Sequence, residues 1–419
     1  MDHFELRNGE LHAEHVPLAA IAAAVGTPVY VYSRATLERH ARVFREALSA
    51  LPRTHLAFAV KSNPNLAVLK LLANEGYGAD VVSAGEMHRA LAAGMPGEHI
   101  VFSGVGKTPR EMNEALDAGL GQFNLESEEE GVELAAIAAS RGQVANATLR
   151  VNPDVDARTH AKISTGKSEN KFGVAYDQAG AIYTRLASLA GLNMRGLDVH
   201  IGSQITDLEP SRAAFTRMGE LMRALRAQGL AVTHMDLGGG LGVPYRIGET
   251  LPGPAEYAAM VLEVTRDWDA TLMFEPGRVI TGNAGVLLTE VIRVKAGASH
   301  PFVVIDAAMN DLVRPAMYDA WHEFQAVRPT GARMTANVVG PICESSDTFA
   351  MAREIDAVAA GDLTVFRTAG AYGATMANTY NSRALVPEVM VDGDKWAVVA
   401  ERIEPATILA AERVPEWLL

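Results

Sequence analysis

The chain has one cysteine, Cys343, so no intrachain disulfide can form and nothing suggests an oxidising compartment. It has no long hydrophobic run. The apolar stretch from Leu18 to Val25 is too short to span a bilayer, and the start, Met1-Asp2-His3-Phe4-Glu5, is acidic where a secretory signal is basic. A cytoplasmic protein is expected. Basic charge is also in deficit. Lys and Arg number 37 against 50 Asp and Glu, a formal net charge of -13, which argues against nucleic acid and anionic membrane as partners. A small anionic substrate is not excluded, because a few arginines can dominate one pocket. The chain lacks a Walker-type Gly-Lys-Ser/Thr loop, and His55, His88, His99, His160, His234 and His322 share no spacing that would make a metal site. Internal repeats, long linkers and low-complexity segments are likewise missing.

What is present is an ordinary globular balance, 48% hydrophobic and 21% charged, over 419 residues, a length that favours two domains. From Thr54 to Pro276, short β-branched runs alternate with amphipathic helical runs. The strand candidates are His55–Val60, Gly78–Val82, His99–Ser103, Gln122–Leu125, Asn146–Val151, Arg195–Ile201, Val232–Leu237 and Thr271–Glu275. Helices are expected over Leu66–Glu75, Gly85–Ala93, Pro109–Ala118, Gly131–Ser140, Ser211–Gln228 and Ala255–Trp268. The run Glu126-Ser127-Glu128-Glu129-Glu130 reads as a helix start, with Ser127 as cap and carboxylates at the positive end of the dipole. Strand–helix units of this spacing predict an α/β fold, a parallel (β/α)8 barrel, with a doubly wound open sheet as the alternative. After Arg278 the texture changes. Val286–Lys295, Phe302–Ile305, Arg333–Val338, Leu363–Arg367, Glu388–Val391 and Trp396–Val399 read as strands of a mostly antiparallel β-sandwich or β-barrel domain. The expected division is a barrel over 31–278, with 1–30 and 279–419 forming the β domain.

A barrel of this kind carries its active site at the C-terminal ends of its strands. The first strand ends in Ala59-Val60-Lys61-Ser62, the sixth in His200-Ile201-Gly202-Ser203-Gln204, the seventh in Gly238-Gly239-Gly240-Leu241-Gly242, and the eighth in Glu275-Pro276-Gly277-Arg278. Each signal has a bland reading: a solvated lysine, a structural histidine, a sharp turn, a rigid corner. Together they place on one rim an amine, a planar imidazole, backbone amides that can approach a phosphate, and a carboxylate. Those are the parts a pyridoxal phosphate site needs: the lysine holds the cofactor covalently, the carboxylate faces its ring nitrogen, and the amides hold its phosphate.

With these motifs, and with Gly26-Thr27-Pro28-Val29-Tyr30 near one end and Gly370-Ala371-Tyr372 near the other, the chain resembles the diaminopimelate decarboxylases. These belong to the alanine-racemase-like class of pyridoxal phosphate enzymes. The resemblance implies that Lys61 bears the cofactor, that His200 stacks on its ring, and that Ser203 and Gly238–Gly240 hold its phosphate. It implies further that Glu275, in the Glu275-Pro276-Gly277-Arg278 turn, faces the ring nitrogen and that Arg278 binds substrate. In the second domain it implies that Arg314 and Tyr318 take the substrate carboxylate and that Tyr372 touches phosphate and substrate. Cys343 and Glu344 would enter the site of a partner subunit, so a homodimer with shared sites is implied. Ser62 departs from the alanine common in the family and leaves the lysine untouched.

The expected activity is decarboxylation of meso-2,6-diaminopimelate to L-lysine, the last step of lysine biosynthesis by that route, with Lys61 and Cys343 as catalytic residues. Cys343 would return the proton. A decarboxylase of ornithine, arginine or lysine is the alternative. Their far ends lack a second carboxylate, which Arg314 does not suit. A racemase is disfavoured by the carboxylate at Glu275, and a non-enzymatic cofactor carrier would not need Cys343 and Tyr372. The polar stretch Arg158–Lys171 is read either as a loop closing over the site or as a solvated loop.

Overall fold

The computed structural model describes residues 2–157, 165 and 171–419. Most of the Arg158–Lys171 stretch therefore lies outside the described residues. The chain divides into two compact units. One comprises the described residues of Glu38–Pro244 and Thr250–Ile280; the other runs up to Leu37 and resumes over Tyr245–Glu249 and Thr281–Leu419.

The first unit is a closed barrel of eight parallel strands: β1 (Thr54–Ala59), β2 (Gly78–Val81), β3 (Ile100–Phe102), β4 (Gln122–Leu125), β5 (Ala145–Asn152), β6 (Leu192–Asp198), β7 (His234–Asp236) and β8 (Thr271–Phe274). Each strand pairs with the next, and β8 closes on β1 through Leu272 opposite Thr54. All eight strands expected from the sequence are present, so the barrel is the observed form and the open sheet is not. The sixth strand ends at Asp198, three residues before its expected end, leaving His200 in the following loop. The expected helices are present within one to three residues at each end, and a further helix, Tyr176–Ala187, follows β5.

The loops at the C-terminal rim are tied down by helix caps. After β1, Asn65 accepts from Ala67 N at 2.9 Å; after β2, Ser83 accepts from Glu86 N at 3.2 Å. After β3, Thr108 and Glu111 form a reciprocal capping box, and after β4, Ser127 accepts from Glu130 N at 3.2 Å. Each such cap is worth about 1 kcal/mol. The Glu130 carboxylate does not return to Ser127. It accepts from Glu126 N and from Lys107 Nζ, which also donates to the Gly104 and Asn124 carbonyls, lacing the loops after β3 and β4 together.

The second unit is built on a mostly antiparallel sheet. Its long central strand, Gly285–Lys295, pairs antiparallel with Val29–Ser33, Leu363–Phe366 and Phe302–Ile305, and Val29–Ser33 in turn pairs parallel with Glu388–Asp392. The N-terminal residues thus contribute the strand Val29–Ser33 to this unit. Period-two alternation puts Val29, Val31, Val286, Leu288, Val365, Val389 and Val391 on one sheet face. That face packs against Leu18 and Ile21 of the helix Leu18–Val25 and against Phe4, Leu11, Ala13 and Val16. Strands not anticipated in this unit include Phe324–Ala326, Thr348–Asp356 and the short N-terminal strands Phe4–Arg7, Glu10–Ala13 and Val16–Pro17. Among the described residues, no helix is long and apolar enough to cross a membrane.

Candidate active site

At the C-terminal rim of the barrel, Lys61 sits in a 3-10 turn, Val60–Ser62, directly after β1. Its Nζ lies 2.8 Å from Asp80 Oδ2 on β2; Asp80 is fully buried, whereas the lysine side chain is 37% exposed. The amine is therefore paired with a buried carboxylate, on a side chain that is more than a third exposed.

Glu275 follows β8 immediately and is buried. Its Oε1 accepts from Ser103 Oγ and Asn124 Nδ2, both at 3.4 Å. Burial first, then Asp236, Asp80 and Asp198, push its carboxyl well above the usual range against the opposing Lys61. Three buried aspartates thus surround it from β2, β6 and β7. Asp236 is pushed up to about 6, mainly by burial, although its oxygens accept from Asn124 Nδ2 and Gly238 N. Asp198 is also raised, by burial and then Asp236, against the pull of Arg150. Asp80 Oδ1 and Asp198 Oδ1 have no hydrogen-bond partner among the described residues. These aspartates were not singled out in the sequence. Their signal is a charge placed within or at the end of an otherwise apolar strand, as in Gly78-Ala79-Asp80-Val81.

His200 lies in the loop after β6. Loss of solvent, then Arg150 and Lys61, hold its imidazole well below the ordinary histidine range, so it is neutral. Its Nδ1 accepts from Gly239 N–H at 3.2 Å, which places the ring proton on Nε2. Thr165 Oγ1 donates to the His200 carbonyl at 2.7 Å. In the glycine run, a Cβ on Gly239 would fall 2.1 Å from the Glu275 carbonyl, and one on Gly240 (φ 107°) would fall 2.3 Å from that of Gly202. Close backbone approach therefore demands glycine at both positions. Gly238 N–H donates to Asp236 and Gly239 N–H to His200, so of the three expected phosphate donors only Gly240 N–H makes no hydrogen bond among the described residues. Beside it on the rim, Arg278 Nη2 donates to Ser203 Oγ at 3.0 Å. Pro276 and Gly277 form the turn between Glu275 and Arg278, and the Pro276 carbonyl accepts from Ala59 N.

These residues fit pyridoxal phosphate. A rim crowded with buried carboxylates favours a ligand that brings a positive ring nitrogen, and a carboxyl that keeps its proton when buried can surrender it to that nitrogen. The Lys61 amine, the flat neutral His200 ring and the Gly240, Ser203 and Arg278 donors suit the remaining parts of the molecule.

The other expected site residues belong to the second unit. Arg314 opens the short helix Arg314–Tyr318 and is buried; Tyr318, one turn on, is half-buried on the same side. Tyr372 has φ 56°, a left-handed conformation that costs a tyrosine about 1 kcal/mol or more, held between two glycines and Ala371. Cys343 and Glu344 are exposed. Their loop is pinned from beneath by buried Asp347, which accepts from Ile342 N at 2.6 Å and Met309 N at 2.7 Å. Glu344 Oε1 accepts from Tyr380 OH at 2.6 Å, a contact the sequence did not point to.

Residues 34–282 match the family described as pyridoxal-dependent decarboxylase, pyridoxal binding domain. The chain is 52% identical to the diaminopimelate decarboxylase of Zymomonas mobilis over 99% of both chains. It is 48% identical to that of Vibrio cholerae over the same shares. Among solved structures, the diaminopimelate decarboxylase of Helicobacter pylori complexed with L-lysine aligns with a TM-score of 0.91 at 36% identity, covering 94% of this chain and 98% of that one. The corresponding enzyme of M. jannaschii with L-lysine aligns with a TM-score of 0.96 at 33% identity, over 100% and 99%. Full-length identity of this order, joined to the amine, imidazole and carboxyl gathered on one barrel rim, places the chain in the diaminopimelate decarboxylase family of pyridoxal-dependent enzymes.

Proposed function

We propose that this protein decarboxylates meso-2,6-diaminopimelate to L-lysine and carbon dioxide in the cytoplasm, as a homodimer whose active sites are shared between subunits. The observation that carries this reading is the convergence of Lys61, His200, Glu275 and Arg278 on one barrel rim in a chain of that family. Pyridoxal phosphate, when bound, supplies an electron sink for the pair freed as carbon dioxide leaves. Lys61 would hold it, His200 would stack on it, Glu275 would face its ring nitrogen, and Ser203 with Gly240 N–H would hold its phosphate. Asp80, 2.8 Å from the Lys61 amine, would hold it in place. Glu275 gives up its proton only where a base arrives, so the charge it then carries is paired at once.

Substrate choice follows from charge matching. The far end of diaminopimelate carries an amine and a second carboxylate. Arg314, with Tyr318, takes the carboxylate, Glu344 of the partner subunit takes the amine, and Arg278 and Tyr372 line the site. Breaking the bond to the departing carboxyl leaves a carbon that must regain a proton, and the thiol of Cys343 of the partner subunit donates it. Purified protein should release carbon dioxide from diaminopimelate and not from ornithine, arginine or lysine. Release from one of those three in preference to diaminopimelate would overturn the proposal.

A further inference from the structure

Arg314 is not simply a buried cation near a protein surface. Its Nη1 lies 2.7 Å from His322 Nε2, and its guanidinium stacks on the Tyr245 ring at 4.6 Å. His322 is itself buried, 2% exposed, and its ring meets Tyr245 edge-on at 5.2 Å. A guanidinium has five N–H donors and no acceptor, so the 2.7 Å contact is a hydrogen bond only if Nε2 is bare. The imidazole proton then resides on Nδ1, and the Arg367 carbonyl stands 2.9 Å away to receive it. One tautomer satisfies both ends, and that tautomer is neutral.

The surroundings reinforce the same state. Arg353 donates to the His322 carbonyl at 2.8 Å, and Arg353 and Arg246 both stack on the neighbouring Trp321 ring, at 3.5 and 4.3 Å. Glu323, next in the chain, accepts from Trp321 Nε1 at 3.3 Å. A charged imidazole here would present N–H to N–H within a cluster of arginines. Neutral His322 instead supplies the one thing a buried guanidinium requires on that side, an acceptor that adds no charge. A carboxylate at the same place would bind Arg314 more tightly but would neutralise it, and its value toward an anionic substrate group would be lost.

We propose that His322 is the positioning residue of Arg314: through the Nη1–Nε2 contact it fixes the orientation in which the guanidinium meets the carboxylate of the unreacted end of the substrate. The proposal rests on the reading that Arg314 takes that carboxylate. Tyr245 supports the flat face, and His322 sets the rotation about it.

The test uses full-length holoenzyme carrying His322→Leu, His322→Gln, Arg314→Ala and the double change Arg314→Ala with His322→Leu. The kcat and KM for diaminopimelate are measured, with inhibition by L-lysine, which keeps the unreacted carboxylate, and by 1,5-diaminopentane, which has both amines and neither carboxylate. His322→Leu should raise KM and weaken lysine inhibition by about tenfold or more, with kcat within about threefold and 1,5-diaminopentane unaffected. Glutamine, whose amide oxygen can accept from the guanidinium, should recover most of that loss. In the Arg314→Ala background, His322→Leu should add nothing. A fall in kcat without a change in KM, equal weakening of both inhibitors, or an additive double variant would overturn the proposal. Arg314→Ala with unchanged KM would overturn the reading of Arg314 and this one with it; a raised KM there beside a silent His322→Leu would overturn this one alone. If the leucine variant does not fold, nitrogen-15 shifts of His322 in the wild-type enzyme decide, since a protonated Nε2 is incompatible with the proposal.

Discussion

Glu275 and glutamine have nearly the same shape, so exchanging them separates packing from charge. The carboxyl is buried among Asp236, Asp80 and Asp198, and its oxygen accepts from Ser103 and Asn124. An amide can satisfy those two contacts but cannot balance a positive ring nitrogen. Glu275→Gln should therefore keep the cofactor, read as bound chromophore, while turnover falls by about two orders of magnitude or more. Near-normal turnover would show that the carboxylate plays no electrostatic part. Lys61 offers a second check, because its amine is paired with Asp80 and its side chain is more than a third exposed. Borohydride reduction followed by peptide mapping should find the cofactor on Lys61, and its recovery on another lysine would remove the assignment. At this scale the rim was largely legible in the sequence, because Lys61, His200, Glu275 and Arg278 each follow an apolar strand within a few residues. Asp80, Asp198 and Asp236 were not, because their importance depends on which strand residues point inward. His322 escaped for the same reason: only the fold brings it to Arg314, eight residues earlier across a short helix and a turn.

Strands and helices of the barrel could be read because each unit repeats one pattern, and the caps at Asn65, Ser83, Thr108 and Ser127 mark the helix starts. The strand Thr348–Asp356 was missed for a physical reason. Its Ala350-Met351-Ala352-Arg353-Glu354 core is made of helix formers, and pairing with Arg333–Val339 overrides that preference. The barrel's other end holds a cluster invisible to spacing arguments. His55 at the start of β1 meets the His99 ring at 5.5 Å, and His234 begins β7. His234 is pushed down to about 4, by loss of solvent first and then by Arg195, His55 and Arg53; His55 is also lowered, chiefly by burial. A histidine in the unfolded chain titrates near 6.5. Above that value neither state is protonated and the neutral rings cost nothing. Between about 6.5 and 4 the unfolded chain takes up protons that the folded barrel refuses, so stability is lost as pH falls. Asp236 and Asp311, both raised to about 6, act in the opposite direction over part of this range, so the comparison must isolate the histidine. The Tm of His234→Gln, measured relative to wild type, should improve steadily from pH 7 to pH 4.5. Parallel Tm curves over that range would show that His234 is not coupled to folding.

At the scale of the whole molecule, the residue assigned to return the proton lies on a different unit from the residue assigned to hold the cofactor. Cys343 and Glu344 are exposed, yet their loop is fixed by buried Asp347 and by the Tyr380 hydroxyl on Glu344. A loop that is rigid and exposed, and bears a thiol and a carboxylate, is suited to completing a site on another chain. If two subunits exchange these loops about a two-fold axis, each site contains Lys61 from one chain and Cys343 from the other. Lys61→Ala and Cys343→Ala homodimers should then both be inactive, each for a different missing group. In a mixed dimer, one site receives both damaged residues and the other receives neither. Random exchange of equal amounts makes about half of the dimers mixed, so about a quarter of all sites are intact and activity should approach a quarter of wild type. The order of mixing must not matter, and the recovery must track the mixed species counted by native mass spectrometry. Mixed dimers formed at the expected level, with activity no higher than that of the separate variants, would place Cys343 and Lys61 in the service of the same chain and end the shared-site account.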